Sequence, residues 1–263
     1  MVTDGVPAPR LYAGCSNGST FEYDLGTDTL RTIKHIGSEA PSRFVGVPSM
    51  PGFVYGLNDD LIYKINVKTL TAVMNTSARS DSLVTDGSWL YTVSMDDARV
   101  MKIDPRTLQV IATLPLGTNF GLQMAPLPGG KGIAMLARER SHDYDNYLVV
   151  DTSSFHVVVN TSVANHGVGG NAVVVNHGPR LNYVALGWAR ELFIIDAIRG
   201  TAVGQVTYPN CIAPDRSICT LSTETLTLAP ANAGLPFDFI VSGLAFPKRG
   251  GFSYAGIILT GTF

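Results

Sequence analysis

The sequence predicts an all-β fold assembled from repeated four-stranded antiparallel sheets. A short apolar run that ends in one Asp or Asn and a small turn recurs five times, at spacings of 42, 38, 47 and 45 residues. Repeats of about 40–45 residues are typical of stacked or radial architectures. The composition agrees, because apolar residues make up 45% of the chain and charged residues only 15%. The polar residues that end these runs, called the marker residues below, are Asp24, Asn66, Asp104, Asp151 and Asp196.

Three further apolar segments accompany the marker run and give each repeat four strands. Turn residues such as Asp86-Gly87 and His177-Gly178 separate the segments. We therefore predict two strands ahead of the marker run and one after it. The first strands are predicted at 44–47, 82–84, 122–124, 172–175 and 226–228, the second at 11–13, 54–56, 90–93, 133–136, 183–185 and 239–242, and the fourth at 30–33, 70–73, 110–114, 157–159 and 202–206.

Four short strands per repeat at this length indicate the blades of a β-propeller. One blade cannot bury both of its apolar faces, whereas blades arranged around an axis bury them against each other. The mean spacing of 43 residues divides 263 residues into about six blades, and an incomplete seven-bladed protein is the alternative. We expect a single domain over 1–263, which starts at the second strand of a blade. We also expect the strand-like segment 252–263 to pair with the N-terminal blade and close the ring.

The marker residues are expected to be structural. The short side chain of Asp or Asn can accept hydrogen bonds from backbone N–H groups two residues further along the chain. This arrangement suits the turn that follows the third strand of each blade.

Charge and hydropathy exclude several classes of partner. The net charge is −2 and no basic patch or charge run occurs, which argues against binding to a nucleic-acid backbone. No apolar stretch approaches the roughly 18 residues needed to span a bilayer. The partners that remain are a small molecule or a protein, and the sequence does not specify the oligomeric state.

The sequence carries mixed signals about localisation. Residues 1–10 lack the basic start and apolar run of a signal peptide. Three N-x-[S/T] sequons nevertheless occur, at Asn17, Asn75 and Asn160. The sequons favour a secreted protein, and chance occurrence in a chain rich in Ser, Thr and Asn is the alternative.

Three cysteines are present. Cys211 and Cys219 bracket a short segment within a long connection between the fifth and sixth repeats. A disulfide would close a nine-residue loop and make it rigid, whereas two free thiols are the alternative in a reducing compartment. Cys15 is expected to be a small core residue, and no Cys/His spacing suggests zinc.

One stretch carries a family resemblance. Residues 82–117, with Ser-Trp-Leu-Tyr-Thr-Val-Ser at 88–94 and Lys-Ile-Asp-Pro-Arg-Thr at 102–107, resemble one blade of the YVTN/YncE-like propellers, within the quinoprotein-dehydrogenase-like group. Residues 170–185 resemble the next blade, and the similarity spans about 10–245. The resemblance implies a propeller fold. It implies no single activity, because that group contains enzymes, surface proteins and binding scaffolds.

The propeller prediction brings polar residues together at the mouth of the central channel. Residues just before the first strand of each blade converge there, because those strands line the channel. Carboxylate and amide oxygens facing one axis would suit a hard divalent cation such as Ca²⁺. The residues at these positions are Glu39, Asp81, Asn119, Asn171 and Glu224, with Arg43 and His166 close by as further binding candidates.

Part of this set is similar to the metal site of the SMP-30/gluconolactonase propellers. Glu39-Ala40-Pro41 is similar to the Glu-Gly-Pro of that family, and Asn119-Phe-Gly-Leu122 to its Asn-Gly-Leu. The resemblance implies that Glu39, Asp81, Asn119 and Asn171 bind a divalent metal, with Glu39 and Asp81 catalytic. The metal would polarise a lactone carbonyl or activate water. Asp81 departs from the family order because it precedes both Asn residues, and the alternative is that these groups cap strands or line a wet channel.

Two other features of the sequence are candidate sites. His166 and His177 are the candidates for a lyase-type catalytic histidine, although each precedes a Gly, where a turn histidine is commoner. Asp143, Asp145 and Asn146 alternate in an extended hairpin over 138–147, which suits either Ca²⁺ or a solvated tip that contacts a protein. We therefore expect a binding scaffold that engages its ligand or protein at the channel mouth or the rim. The alternative is a metal-dependent lactonase-type hydrolase, or a related lyase or isomerase.

Overall fold

The computed structural model consists of antiparallel sheets joined by turns. It describes residues 10–14, 19–33, 41, 43–58, 61–77, 80–94, 96–139, 145–164, 172–175, 183–188, 191–196, 199–207, 211–212, 218–228, 239–247 and 253–261. Within these residues the strands form one three-stranded and five four-stranded sheets, and Pro128–Gly130 forms a 3₁₀ turn. No helix in this part of the chain is long and apolar enough to cross a membrane.

The strands of each sheet follow one another in the chain. Sheet 1 contains β1 (Arg10–Gly14), β2 (Thr20–Asp24) and β3 (Thr29–Ile33), and sheet 2 contains β4 (Arg43–Gly46), β5 (Phe53–Leu57), β6 (Leu61–Asn66) and β7 (Thr71–Ser77). Sheet 3 contains β8 (Ser82–Thr85), β9 (Leu90–Ser94), β10 (Arg99–Ile103) and β11 (Val110–Pro115). Sheet 4 contains β12 (Asn119–Pro126), β13 (Gly132–Glu139), β14 (Asp145–Asp151) and β15 (His156–Ala164). Sheet 5 contains β16 (Ala172–Val175), β17 (Tyr183–Trp188), β18 (Glu191–Asp196) and β19 (Ala202–Thr207), and sheet 6 contains β20 (Cys211–Ile212), β21 (Ile218–Leu228), β22 (Phe239–Pro247) and β23 (Ser253–Gly261).

The observed sheets confirm the predicted blade pattern. Every first, second and fourth strand predicted from the repeats overlaps an observed strand, and the marker residues lie at or just after the end of the third strand. Sheet 1 begins with the second strand, as expected from the position of residues 11–13 in the repeat. The chain divides into two compact units, residues 1–124 and 125–263, with the division inside β12. A single domain over the whole chain stays a prediction.

The expected pairing of the C-terminal segment is wrong. β23 pairs antiparallel with β22, with Phe239 opposite Gly261 and Val241 opposite Leu259. The segment therefore follows β22 in sheet 6 and is not a partner of sheet 1. The connection between β22 and β23 is short. Closing a short loop costs less chain entropy than joining segments from opposite ends of the sequence.

The five marker residues form the same turn. In four turns the side chain accepts a hydrogen bond from the backbone N–H two residues on, as at Asp24 and Gly26 (2.9 Å) or Asp104 and Arg106 (2.7 Å). Asp196 accepts one from the N–H of Arg199 at 3.0 Å. The predicted structural role is confirmed.

A second element of these turns is a residue in the left-handed conformation. It lies four residues after the marker residue, and in four of the five turns its N–H donates to the marker carbonyl at 2.7–2.9 Å. A left-handed conformation is costly for any residue with a Cβ, so the turn itself must impose it. The five residues and their φ angles are Asp28 (53°), Leu70 (55°), Leu108 (57°), Phe155 (54°) and Gly200 (67°).

Apolar side chains and satisfied polar groups hold sheets 1 to 3 together. One core cluster joins sheets 2 and 3 and includes the fully buried Tyr55, Ile62 and Leu90. The buried Glu22 of sheet 1 accepts hydrogen bonds from Tyr12 at 3.0 Å and from Arg31. Arg31 also donates to the carbonyl of Val67 at 3.3 Å, so this ion pair links sheet 1 to sheet 2.

In the second unit, β13 of sheet 4 lies beside β16 of sheet 5, and sheet 4 contains the fully buried Ile133, Leu136 and Val150. Gly200, in the marker turn of sheet 5, lies against sheet 4. A Cβ at this position would lie 2.3 Å from Val159 Cγ1 and 2.9 Å from Thr161 Oγ1. Glycine is therefore required at this position by the close approach of the neighbouring sheet, whereas the left-handed backbone alone is occupied by Asp, Leu or Phe in the other marker turns.

Candidate functional site

Each sheet has two ends at which its strands turn, and each of these ends is called an edge in the names below. Since consecutive strands are antiparallel, the turns between first and second strands and the marker turns lie at one edge, called the marker edge below. The turns between second and third strands and the connections from sheet to sheet lie at the opposite, connection edge. Of the residues that the sequence predicts at the channel mouth, Arg43, Asp81 and Asn119 lie at the connection edge.

Two of the predicted residues, Arg43 and Asp81, lie close enough for their charges to interact. Arg43 lies in β4 and Asp81 directly before β8, where the Asp81 N–H donates to the carbonyl of Val93 at 2.8 Å. Burial lowers the pKa of Arg43, and the negative charge of Asp81 opposes that change. β4 and β8 pack side by side. The structure thus brings together one cation and one carboxylate of the predicted set.

Asn119 occupies the start of β12 and is directed at its own turn. It is buried, its side-chain amide donates to the Leu116 carbonyl at 3.4 Å, and its backbone N–H donates to the same carbonyl at 3.2 Å. β12 lies beside β8, because the Met124 N–H donates to Ser82 Oγ at 3.1 Å. This environment is the one expected of a residue that caps a strand.

Glu224 has a different position from the predicted one. β21 begins at Ile218 and not at Leu226, so Glu224 lies inside the strand. The register with β22 shifts between Thr223 and Thr225, which makes Glu224 the extra residue of a β-bulge. The predicted residues Glu39, Asn171, His166 and His177 lie outside the described residues. Where the structure is described, no group of three or more His, Cys, Asp or Glu residues is placed to hold a metal ion.

The proposed hairpin site over 138–147 is partly replaced by strand. Asp145 pairs with Arg138 and Asn146 with Ala137, and Asn146 is buried. Asn146 is therefore part of the sheet and not of a solvated tip, because pairing of β13 and β14 extends further than the charged sequence suggested. Asp143 lies outside the described residues.

The marker edge of the first unit carries a cleft that the sequence did not reveal. It lies between the β4–β5 turn of sheet 2 and two turns of sheet 3, and its volume is about 350 Å³. Asp86 shapes one of these turns, because its carboxylate accepts the N–H groups of Ser88 and Trp89 at 2.8 Å. A Trp beside an Asp-Gly turn was the available signal. The residues that line the cleft are Ser49, Ser88, Trp89, Asp104, Pro105 and Arg106.

Buried polar groups fix the backbone that forms this cleft. The Tyr55 hydroxyl donates to the Pro105 carbonyl at 2.7 Å, and the Lys64 ammonium donates to the Arg106 carbonyl at 2.9 Å. Burial raises the pKa of Tyr55 and lowers that of Lys64; the charge of Asp104 raises both. The cleft therefore has a rigid floor tied to sheet 2.

The outermost strands carry exposed aliphatic side chains at equivalent positions, the sixth and seventh residues after the marker residue. These side chains, called the rim residues below, lie on edge strands of their sheets. Exposed apolar patches are typical of interaction sites. In the first unit the rim residues are Leu30, Val73, Val110 and Ile111, and in the second unit Val157 and Val158, with exposed fractions from 36% to 65%.

Comparison with known proteins identifies the fold class. No protein-family profile matches the sequence, and no curated protein is similar to it. By contrast, 1088 chains of solved structures are similar in structure. One of them belongs to "Crystal Structure of Mitotic Checkpoint Complex", with 14% sequence identity and a TM-score of 0.67 over 98% of this chain and 78% of that chain. Together with the repeated four-stranded antiparallel sheets, this similarity shows a β-propeller fold.

Proposed function

We propose that this protein is a β-propeller scaffold that binds another protein through its rim residues. The observation that carries the proposal is the recurrence of exposed aliphatic residues at the same repeat positions in four outermost strands, singly in β3 and β7 and in pairs in β11 and β15. An isolated exposed Val or Leu has no special meaning, whereas recurrence at the same repeat positions of several sheets supports an interaction site. Covering each such side chain would contribute roughly 25 cal/mol per Å² of apolar surface.

The composition of the edge strands supports the same proposal. Soluble proteins usually protect an edge strand with Lys or another charge, because its unpaired backbone groups can bind a second strand. β7, β11 and β15 contain no Lys, Arg, Asp or Glu. The one charged residue of β3, Arg31, is bound to Glu22. Within the described residues these strands therefore present apolar side chains without a free protecting charge.

The structural neighbour adds a general argument. The neighbour was solved as part of a mitotic checkpoint complex, so that protein has this fold within an assembly. The YVTN/YncE-like resemblance of residues 82–117 is compatible with such a role, since that group includes surface and binding proteins. We propose membership of that group on the strength of those residues alone.

The proposal is tested by adding one charge to the rim. Ile111→Lys places an ammonium among the rim residues, and Thr118→Lys adds the same charge at an exposed turn residue on the connection edge. Proteins captured by the wild type from its source cells are quantified by mass spectrometry, and a candidate partner is then purified and titrated. We expect Ile111→Lys to weaken its binding roughly tenfold or more, as loss of about 1.4 kcal/mol implies, and Thr118→Lys to leave it unchanged. Equal binding by both variants would overturn the proposal.

The metal-dependent hydrolase stays a prediction. Two of its four proposed ligands lie outside the described residues, and the Asn119 amide is directed at a protein carbonyl. No observation in the described part of the chain favours this activity over the scaffold.

A further inference from the structure

We propose that Cys211 and Cys219 form a disulfide that fastens β20 to β21. The sequence left bridged and free cysteines equally open, because it showed only that the intervening loop is short. The backbone register distinguishes these alternatives. Cys211 lies directly opposite Cys219, and Ile212 directly opposite Ile218, in an antiparallel pair.

Directly opposite residues have the separation that a disulfide needs. In an antiparallel pair their Cα atoms are about 4.5 Å or about 5.5 Å apart, depending on the hydrogen-bonding pattern. Disulfides span Cα separations of about 4.4–6.8 Å. Both kinds of pair fall within that range. The backbone register therefore supports the bond, whichever kind of pair the two cysteines form.

The position of β20 explains what the bond would do. In sheets 2 to 5 the first strand is a terminal strand of its sheet among the described residues. In sheet 6 the equivalent strand is β21, and β20 covers its otherwise open edge. β20 has only two residues, and two residue pairs hold a strand weakly by themselves. A disulfide would therefore stabilise the weak pairing of β20 with β21 and keep the edge of β21 covered.

The chemistry is an ordinary thiol–disulfide exchange. Two thiols lose two electrons and two protons as the S–S bond forms, and a disulfide oxidant such as oxidised glutathione is reduced to two thiols. The first thiolate attacks the oxidant to give a mixed disulfide, and the second displaces the leaving thiol. The register keeps the second thiol close throughout, which favours the internal bond over a persistent mixed disulfide.

Peptide mapping tests the proposal on the full chain. The protein is equilibrated in glutathione buffers of graded ratio, quenched with acid, alkylated and digested with trypsin. Cleavage after Arg216 separates the two cysteines, so the disulfide appears as peptide 200–216 linked to peptide 217–248. Cys15 lies in a third peptide, 11–31, and serves as an internal reference for alkylation.

We expect the linked peptide in the native protein at glutathione ratios that leave Cys15 alkylated, and in Cys15→Ser to the same extent. In guanidinium the same linkage should need a buffer roughly tenfold or more oxidising, because unfolding removes the register and lowers the effective concentration of the two thiols. Cys211→Ser should leave Cys219 alkylated or glutathionylated. Alkylation of both cysteines in oxidising buffer, linkage to Cys15, or equal linkage in the native and unfolded protein would each overturn the proposal.

Discussion

Leu108 combines deep burial with an unfavourable backbone, and this combination predicts an unusual ranking of two variants. It is 2% exposed, belongs to the core of sheets 2 and 3, and has a φ of 57°. Leu108→Ala should lower the free energy of unfolding by about 2–4 kcal/mol through the cavity that it creates. Leu108→Gly loses one more buried methyl group, worth about 0.8 kcal/mol, and about 0.5–1 kcal/mol of backbone entropy. It recovers about 1–2 kcal/mol, because glycine adopts the left-handed conformation without strain.

The gain and the loss nearly cancel, so Leu108→Gly and Leu108→Ala should have free energies of unfolding within about 0.5 kcal/mol of each other. Leu90 is the matched control, because it is fully buried in the same core without a positive φ. There the Gly variant should be less stable than the Ala variant by about 1.5 kcal/mol. Urea unfolding with linear extrapolation measures all four variants. The same Gly-to-Ala gap at both positions would refute the claim that the turn imposes strain on Leu108.

Three further predictions concern a close contact, a pH dependence and metal binding. Gly200→Ala should lower the free energy of unfolding by about 2–4 kcal/mol, because its Cβ overlaps sheet 4. Gly117 has the same φ of 67° with open space around it, so Gly117→Ala should lower the free energy of unfolding by only about 1–2 kcal/mol. Equal urea midpoints for the two variants would contradict the contact between Gly200 and sheet 4. Hydrogen bonds from Ser hydroxyls and backbone N–H groups lower the pKa of Asp151 from 3.8 to about 2, so its contribution to stability should be complete above about pH 4 and disappear as the pH falls to 2. Urea midpoints should therefore show the advantage of the wild type over Asp151→Asn at pH 5 but not at pH 2, and a constant difference would contradict this origin. Calorimetry with Ca²⁺, Mg²⁺, Zn²⁺ and Mn²⁺ should show no micromolar binding if the protein is a scaffold, and binding abolished by Glu39→Gln or Asp81→Asn would instead establish the hydrolase site.

The repeat made the strands predictable. Of the two elements of the marker turn, only the marker side chain could be predicted. Asp and Asn at the marker position have a known turn preference, so the side-chain hydrogen bonds could be expected. The left-handed residue four positions later could not. Leu70 and Leu108 are residues that normally avoid this conformation, and their burial stabilises the turn enough to override that preference.

Pairing partners were less predictable than strands. Residues 252–263 have the composition of a strand, and composition does not say which edge a strand will join. Glu224 shows the same difficulty, because the polar Thr-rich stretch before it reads as a connection and instead extends β21 to Ile218. Its place in the bulge depends on the register with β22, which only the folded sheet determines.

The candidate sites are formed by residues of different repeats, and the sequence of one repeat does not specify the distances between them. Register alone placed Asp81 near the start of a first strand, and β8 begins directly after it. The cleft and the rim residues escaped prediction for different reasons. The cleft requires turns of two sheets to come together, and the aliphatic residues of β11 read as ordinary core residues until their exposure is known.

The shared geometry of the marker turns has a consequence for how this surface can diversify. The backbone path depends on the marker side chain and on the left-handed residue. The residue two positions after the marker supplies its N–H group, and among the described turns Ser153 alone adds a side-chain hydrogen bond to the marker carboxylate. That position holds Gly26, Lys68, Arg106 and Ser153 in different turns. In these four turns a neutral side chain can thus be exchanged for a cationic one without altering strand alignment, so the charge of this surface can change while the fold is kept.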